Sequence, residues 1–346
     1  VAGALVDRID RRRVLVAADL LASVATAVMA IAAALGSVPV VLVLLLARSA
    51  ITSAVPPGES AALRRLVADD ELVLANSILA ATWSTSYVIG MFLGGLAATL
   101  GPTFALAFDA ASFAIAAGLH ATLPPLPVEQ PGGSLWSMVR GVPRDTVVAL
   151  RVAWADRPLL AAVLGKTPLA MAGGAAWVAL NLIGAAAHPY GGAALSFGVM
   201  QAIRGAGTGI GPAAATWLMG RGARAAPLLR GSWVLMLAAV TGLAFARDPV
   251  TLALVTIGWG IGTGTNWVLC HVAIQRHAGD VVIGRLAAFD ELLASVAMAG
   301  GAVAGAVAAE QLGLAAAPLC GVALGLAALA AAAILVARVP ARPDER

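Results

Sequence analysis

Long apolar stretches dominate the chain, at about residues 14 to 36, 38 to 58, 73 to 98, 102 to 123, 158 to 186, 191 to 219, 228 to 246, 250 to 275, 284 to 309 and 314 to 337. Within them apolar residues neither alternate with polar ones nor gather on one helical face. They are apolar all round and rich in Ala and Leu, which is the pattern of helices with no wet side. At 1.5 Å per residue, about 20 residues cross the ~30 Å hydrocarbon core of a bilayer. Strands of a membrane barrel would alternate in polarity. The predicted fold class is therefore an all-α polytopic membrane protein with ten transmembrane helices.

Composition agrees. Asp, Glu, Lys and Arg make up 12% of the 346 residues, against about a quarter in a soluble domain, and mean hydropathy is +0.92. The net charge of +4 matters through its placement. If the first residues are cytoplasmic, the cytoplasmic connections and ends hold 18 of the 22 basic residues and the opposite connections hold only Arg247. The other three, Arg48, Lys166 and Arg204, fall inside predicted spans. This asymmetry predicts both chain ends on the cytoplasmic side of the cell membrane. With no basic tail or aromatic-interleaved basic patch, nucleic acid is not an expected partner. Cys270 and Cys320 sit in apolar runs and read as buried thiols.

Residues 124 to 157 form the longest connection. It begins as a Pro/Gly linker and continues with Trp136, Val139, Val147, Val148, Leu150 and Trp154 among arginines, as suits an interfacial amphipathic helix. Four helices precede it and six follow. Arg-x-x-Arg recurs from Arg8 and Arg11 to Arg221 and Arg224 at an offset of 213, and Arg-x-x-x-Asp from Arg65 to Arg276 at an offset of 211. Two parallel halves of six helices follow from this register. The first half would then start about 55 residues before Val1, with two helices missing. The expected organisation is an incomplete N-terminal bundle over 1–123 (helices 3 to 6), a linker over 124–157, a six-helix bundle over 158–337 and a tail over 338–346.

The stretch "GALVDRIDRRRVL" resembles the loop between helices 2 and 3 of the major facilitator superfamily, Gly-x-Leu-x-Asp-Arg-x-Gly-Arg-Arg/Lys-x-x-Leu. Gly3, Leu5, Asp7, Arg8, Arg11, Arg12 and Leu15 match it, and Asp10 replaces the second glycine. The resemblance implies a cytoplasmic gate motif at Gly3, Asp7, Arg8, Arg11 and Arg12, with Asp7 reaching the start of the helix near Gly284 and Arg285. Arg48 resembles the helix-4 arginine of drug and metabolite exporters. "YVIGMFLGG" is similar to the antiporter helix-5 motif through Gly90, Gly94 and Gly95, with Met91 in place of proline. "AFDAASF" and "GVMQAIRGAGTGIG" resemble the branch of the enterobactin exporter and macrolide efflux proteins. The family implies alternating access, and usually a monomer.

Ionisable residues inside spans are costly and point to function. Arg48, Asp109, Lys166, Arg204, Asp290 and Glu291 are the candidates for a substrate and proton pathway, with Asp109 the first choice for the proton carrier and as a partner of Arg48. Arg204 with Glu291 is one possible pairing. Asp19 reads as a structural residue that snorkels, and Glu59 as an interfacial helix end. Asn76, Trp83, Tyr87, Asn181, Gln201, Asn266, Trp267 and His271 are candidates for lining a cavity. "GAGTGIG" and "GWGIGTGTN" lack the strand and the Lys-Ser/Thr of nucleotide loops and read as helix contacts. No metal-ligand spacing or nucleophile elbow occurs, so no enzyme, cofactor or metal is expected. The expected protein is a secondary transporter that exports a small organic molecule, by proton antiport, through a lipid bilayer. The alternatives are an uptake carrier on the same scaffold and a non-transporting scaffold or inactive fragment.

Overall fold

The computed structural model describes residues 10–53, 72–126, 147–278 and 283–339, together with positions 55, 59, 62, 63, 66, 67 and 144. The described helices are α1 (Arg11–Ala34), α2 (Val38–Thr52), α3 (Leu72–Thr99), α4 (Pro102–His120), α5 (Arg157–Leu164), α6 (Thr167–Ala187), α7 (Ala193–Gly220), α8 (Ala225–Leu243), α9 (Pro249–His277), α10 (Ile283–Leu312) and α11 (Ala316–Ala337). Among the described residues each of the ten predicted spans contains a helix, the fifth being divided into α5 and α6. Among the described residues, seven stretches are long and apolar enough to cross a membrane, one of them the α5–α6 pair taken together.

Short polar signals set the helix ends. Asp10, which stands where the resembling motif has glycine, caps α1: its carboxylate accepts hydrogen bonds from the Arg13 amide at 3.3 Å and the Leu126 amide at 3.0 Å. Asp156 caps α5 by accepting from the Leu159 amide at 3.2 Å. Asp248 caps α9, accepting from the Val250 and Thr251 amides at 3.0 Å each. In α4 and α9 proline follows at the first helical position, where no intrahelical N–H is needed. Before α4, Gly101 takes φ 104°, a left-handed conformation that suits glycine.

The chain forms two compact units. One holds α1, α2, α4 and the two ends of α3; the other holds the middle of α3, Ser84–Gly95, with α5 to α11. In the first, α1 packs on α2 and α4, and the Ser23 hydroxyl donates to the Ala110 carbonyl at 2.8 Å. In the second, Leu169, Leu180, Met200, Met236 and Trp259 form the centre of the core. Residues 147–154 are helical. Ala149 and Ala153 pack there with Leu159, Ile274 and Leu286, while Val147, Val148, Val152 and Trp154 stay exposed.

Glycines allow the second unit's helices to touch. A Cβ on Gly207 would lie 2.5 Å from the Ile257 carbonyl oxygen, and one on Gly262 2.7 Å from Met236 Cβ. Cβ atoms on Gly260 and Gly264 would strike the Arg204 and Thr208 carbonyls. Gly207, Gly211, Gly260 and Gly264 form the two sides of the α7–α9 crossing while Gly262 admits α8, and such small-residue contacts replace the hydrophobic drive that lipid does not supply. Elsewhere the helices present large apolar side chains outward, among them Leu46 (73% exposed) and Val303 (66%). In water these would be an aggregation surface, and in a bilayer they face acyl chains.

Gly260→Ala should lower stability by about 1–3 kcal/mol through overpacking. Gly231→Ala, where a Cβ meets nothing within 4 Å, should be neutral or gain up to about 1 kcal/mol from helix propensity. Thermal unfolding in detergent micelles reads both. A second prediction concerns acid. Hydrogen bonds from the Thr251 hydroxyl and then its amide hold the Asp248 carboxyl below its ordinary value of 3.8. Its folded value is the lower one, so its contribution is complete above pH 3.8 and fades as pH falls through the depressed value. Asp248→Asn, which still caps a helix, should flatten that part of the acid limb of a melting-temperature titration.

Candidate functional site

Four groups of ionisable side chains lie along the apolar helices. In the first unit Arg48 stands ten residues into α2 and Asp109 seven residues into α4, depths of about 15 and 10 Å. Arg48 Nη1 donates to Asp109 Oδ2 at 2.5 Å, with the two side chains 23% and 42% exposed. The guanidinium also lies 5.7 Å from the centre of the Phe113 ring. The expected pairing is present, and Asp109 keeps an open side.

Asp19 does not snorkel. It is 4% exposed and its Oδ2 lies 2.6 Å from His120 Nδ1. A carboxylate eight positions into α1 cannot reach the interface when α4 packs across it, and the histidine in the last turn of α4 takes its place as partner. His120 was not among the expected residues. Its only sequence signal is its position at a helix C-terminus, where the helix dipole favours a cation.

In the second unit the fifth span breaks at Gly165 and Lys166. Pro168 has no N–H to give to the preceding turn, so α5 ends and α6 restarts. The break frees the Gly165 carbonyl, which accepts from Trp233 Nε1 at 3.3 Å and Asn266 Nδ2 at 3.4 Å. Lys166 emerges here, 2% exposed, with Nζ 2.5 Å from Asp290 Oδ2 and 3.7 Å from Glu291 Oε2. It also sits 4.7 Å from the Trp267 ring centre. Asp290 is 1% exposed and its Oδ1 has no hydrogen-bond partner among the described residues, whereas Glu291 is 58% exposed. Glu291 therefore accompanies Lys166 and not Arg204.

Arg204, eleven residues into α7, has a different setting. Nε donates to Gln201 Oε1 at 2.7 Å and Nη2 donates to the Tyr87 hydroxyl. Its guanidinium carbon lies 4.7 Å from the Trp177 ring centre, 5.2 Å from Trp259 and 5.3 Å from Tyr87. Tyr87, Gln201, Asn266 and Trp267 were expected at a site. Trp177 and Trp259 were not, because a tryptophan in an apolar glycine-rich run has no signal that separates it from packing. Of the helix-5 glycines, only Gly95 has a close neighbour, Gly198 Cα at 2.7 Å from its would-be Cβ; Gly90 and Gly94 meet nothing within 4 Å.

Gly3, Asp7 and Arg8 of the gate motif lie outside the described residues, and with them the expected reach of Asp7. Arg12 Nη2 donates to the Ala121 carbonyl at 2.6 Å, just past the end of α4, and the Arg11 amide donates to the Leu126 carbonyl at 3.3 Å.

Ion pairs along apolar helices in each unit, and a discontinuous span in the second, are features that membrane transporters use. The Major Facilitator Superfamily profile matches residues 1–182, and the chain belongs to that superfamily. No curated protein sequence matches it. Among solved structures it is similar to a variant of the nucleoside transporter NupG (14% identity, TM-score 0.69, covering 97% of this chain and 88% of that one). It is likewise similar to a variant of the peptide transporter POT in complex with sulfate (15%, 0.69, 97% and 83%). A third is a variant of the E. coli fucose:proton symporter FucP (16%, 0.54, 96% and 86%). At these identities the likeness is one of fold.

Removing one member of the buried Lys166–Asp290 pair should cost more than removing both. Lys166→Met is expected to lose about 3 kcal/mol, and Lys166→Met with Asp290→Leu to recover most of it in detergent melts. Equal losses in the single and double variants would mean the two charges are not coupled.

Proposed function

We propose that the protein is a secondary transporter of the cell membrane, with both chain ends cytoplasmic. It exports a small organic molecule by alternating access in exchange for protons. The observation that carries this reading is the Arg48–Asp109 pair, an ion pair inside apolar helices with its carboxylate 42% exposed. A carboxylate so placed can take a proton without the bundle opening, and its neutralisation releases Arg48. Proton binding thereby becomes a change in helix contacts, which is how a gradient can bias one conformation over another.

Asp290, 1% exposed beside Lys166, is the second carboxylate of this kind. It can be protonated only once its surroundings open, so Asp109 is the first carrier. The gate residues Gly3, Asp7, Arg8, Arg11 and Arg12 would hold the cytoplasmic side. Export is favoured by the exporter-like Arg48, the antiporter-like Gly90, Gly94 and Gly95, and an interior suited to amphiphilic molecules.

The test uses inside-out vesicles with an acidified lumen and an acridine orange readout, with ethidium, 4-phenylbutyrate and a macrolide as probes. Antiport predicts that at least one probe dissipates the gradient with wild-type protein, at least tenfold less with Asp109→Asn. Uptake of the probes along with the proton flow would overturn export.

A further inference from the structure

Arg204 is the one buried cation in the described structure whose neighbours carry no compensating charge. Arg48 has Asp109, and Lys166 has Asp290 and Glu291. Arg204 retains 9% exposure, and among the described residues no carboxylate lies within ion-pair distance of it. Its partners, Gln201 and Tyr87, are neutral. A guanidinium has five N–H donors. Two are used, by Gln201 Oε1 and the Tyr87 hydroxyl, so both N–H groups of Nη1 and one of Nη2 have no acceptor among the described residues.

Gln201 adds an independent sign. It is fully buried, and its Nε2 has no hydrogen-bond partner among the described residues. The amide cannot be turned to cure this, because Oε1 is needed to accept from Arg204 Nε. Two adjacent side chains, one turn apart on α7, thus hold spare donors and no spare acceptor. Three aromatic faces contribute about 0.5–2 kcal/mol each to a cation. The penalty for enclosing an ion away from water is several kcal/mol, and an aromatic face offers nothing that satisfies a free N–H in the plane of the guanidinium. The rings fix the orientation of the guanidinium without completing its coordination.

We infer that Arg204 and Gln201 form the anion-binding subsite for the transported molecule, which is an organic anion: a carboxylate or phosphate ester carried on an apolar, ring-containing body. The inference rests on the transport reading above and names its substrate class. The anionic group accepts from the spare Nη donors and from Gln201 Nε2. The half-buried Trp177, Tyr87 and Phe197, the last 6.4 Å centre to centre from Trp177, supply an apolar wall for the body. An uncharged amide of the same shape offers one acceptor oxygen in place of two and no negative charge, and a cationic analogue repels the guanidinium, so both are discriminated against. The glycines of α7 serve the same end: a Cβ on Gly205 would lie 2.6 Å from the Tyr87 ring, so the ring reaches the guanidinium only because that position is bare.

The test compares 4-phenylbutyrate with 4-phenylbutyramide, which differ in charge but hardly in shape, on the full chain in lipid nanodiscs by tryptophan fluorescence and thermal shift. Wild type should bind the carboxylate at least tenfold more tightly than the amide. Arg204→Gln should bring the two within threefold, and Arg204→Lys should lie between. The wild-type comparison stands even if Arg204→Gln does not fold. Equal binding of the two probes, no binding of the carboxylate, or a tenfold preference retained by Arg204→Gln would each overturn the subsite. Binding is read without flux, so the two proposals separate. Carboxylate preference with no proton-linked flux removes the transport reading and keeps the anion site. Proton-linked flux of 4-phenylbutyrate that Arg204→Gln leaves unchanged removes the anion site and keeps transport.

Discussion

The structure is organised by the cost of holding ionised side chains away from water. Where helices are apolar on every side, a charge survives only against an opposite charge, a ring face or an oriented dipole, and each such arrangement ties helices distant in sequence. Arg48 with Asp109 ties α2 to α4, and Asp19 with His120 ties α1 to α4. Lys166 with Asp290 ties the break between α5 and α6 to α10. Protonation of any one of these carboxylates would loosen a specific helix contact, so the positions that hold each unit together are also those where a proton can do work.

Close approach of backbones makes these pairs possible. The α7–α9 crossing is lined by Gly207, Gly211, Gly260 and Gly264, where added Cβ atoms would collide with backbone or side chain. That closeness brings Trp259 of α9 onto the Arg204 guanidinium of α7. The break at Gly165 and Lys166 works in the opposite sense. It leaves a backbone carbonyl without its helical partner, satisfies it with Trp233 and Asn266, and aims a lysine into the bundle. Irregular backbone is tolerated in a membrane protein only where protein encloses it in this way.

Much of the fold was legible because its cause is local. Runs apolar all round can only be spans, and the pairing of Arg48 with Asp109 followed from two opposite charges at similar depth. Asp10 was legible as a departure from a motif and caps α1 locally through the Arg13 amide, but its second bond, from the Leu126 amide 116 positions away, is carried by no pattern in the sequence. His120 and the tryptophans around Arg204 were missed for the same reason: their meaning lies in what another helix brings to them. Asp19 was read as structural, which its contact with His120 suits, but depth along a helix did not say which neighbour covers it. Lys166 was recognised as an intramembrane charge, while the helix break that presents it was hidden in Gly165 and Pro168, residues common in spans of every kind.

In the proposed cycle, protonation of Asp109 breaks its ion pair with Arg48. Difference infrared spectroscopy of the protein in lipid tests it most directly, by following the carbonyl stretch of protonated carboxyl groups as pH is lowered. The protonated-acid absorption that grows with acidification in wild type should contain a component that is lost in Asp109→Asn and kept in Asp290→Asn. A band that Asp109→Asn leaves unchanged would contradict it.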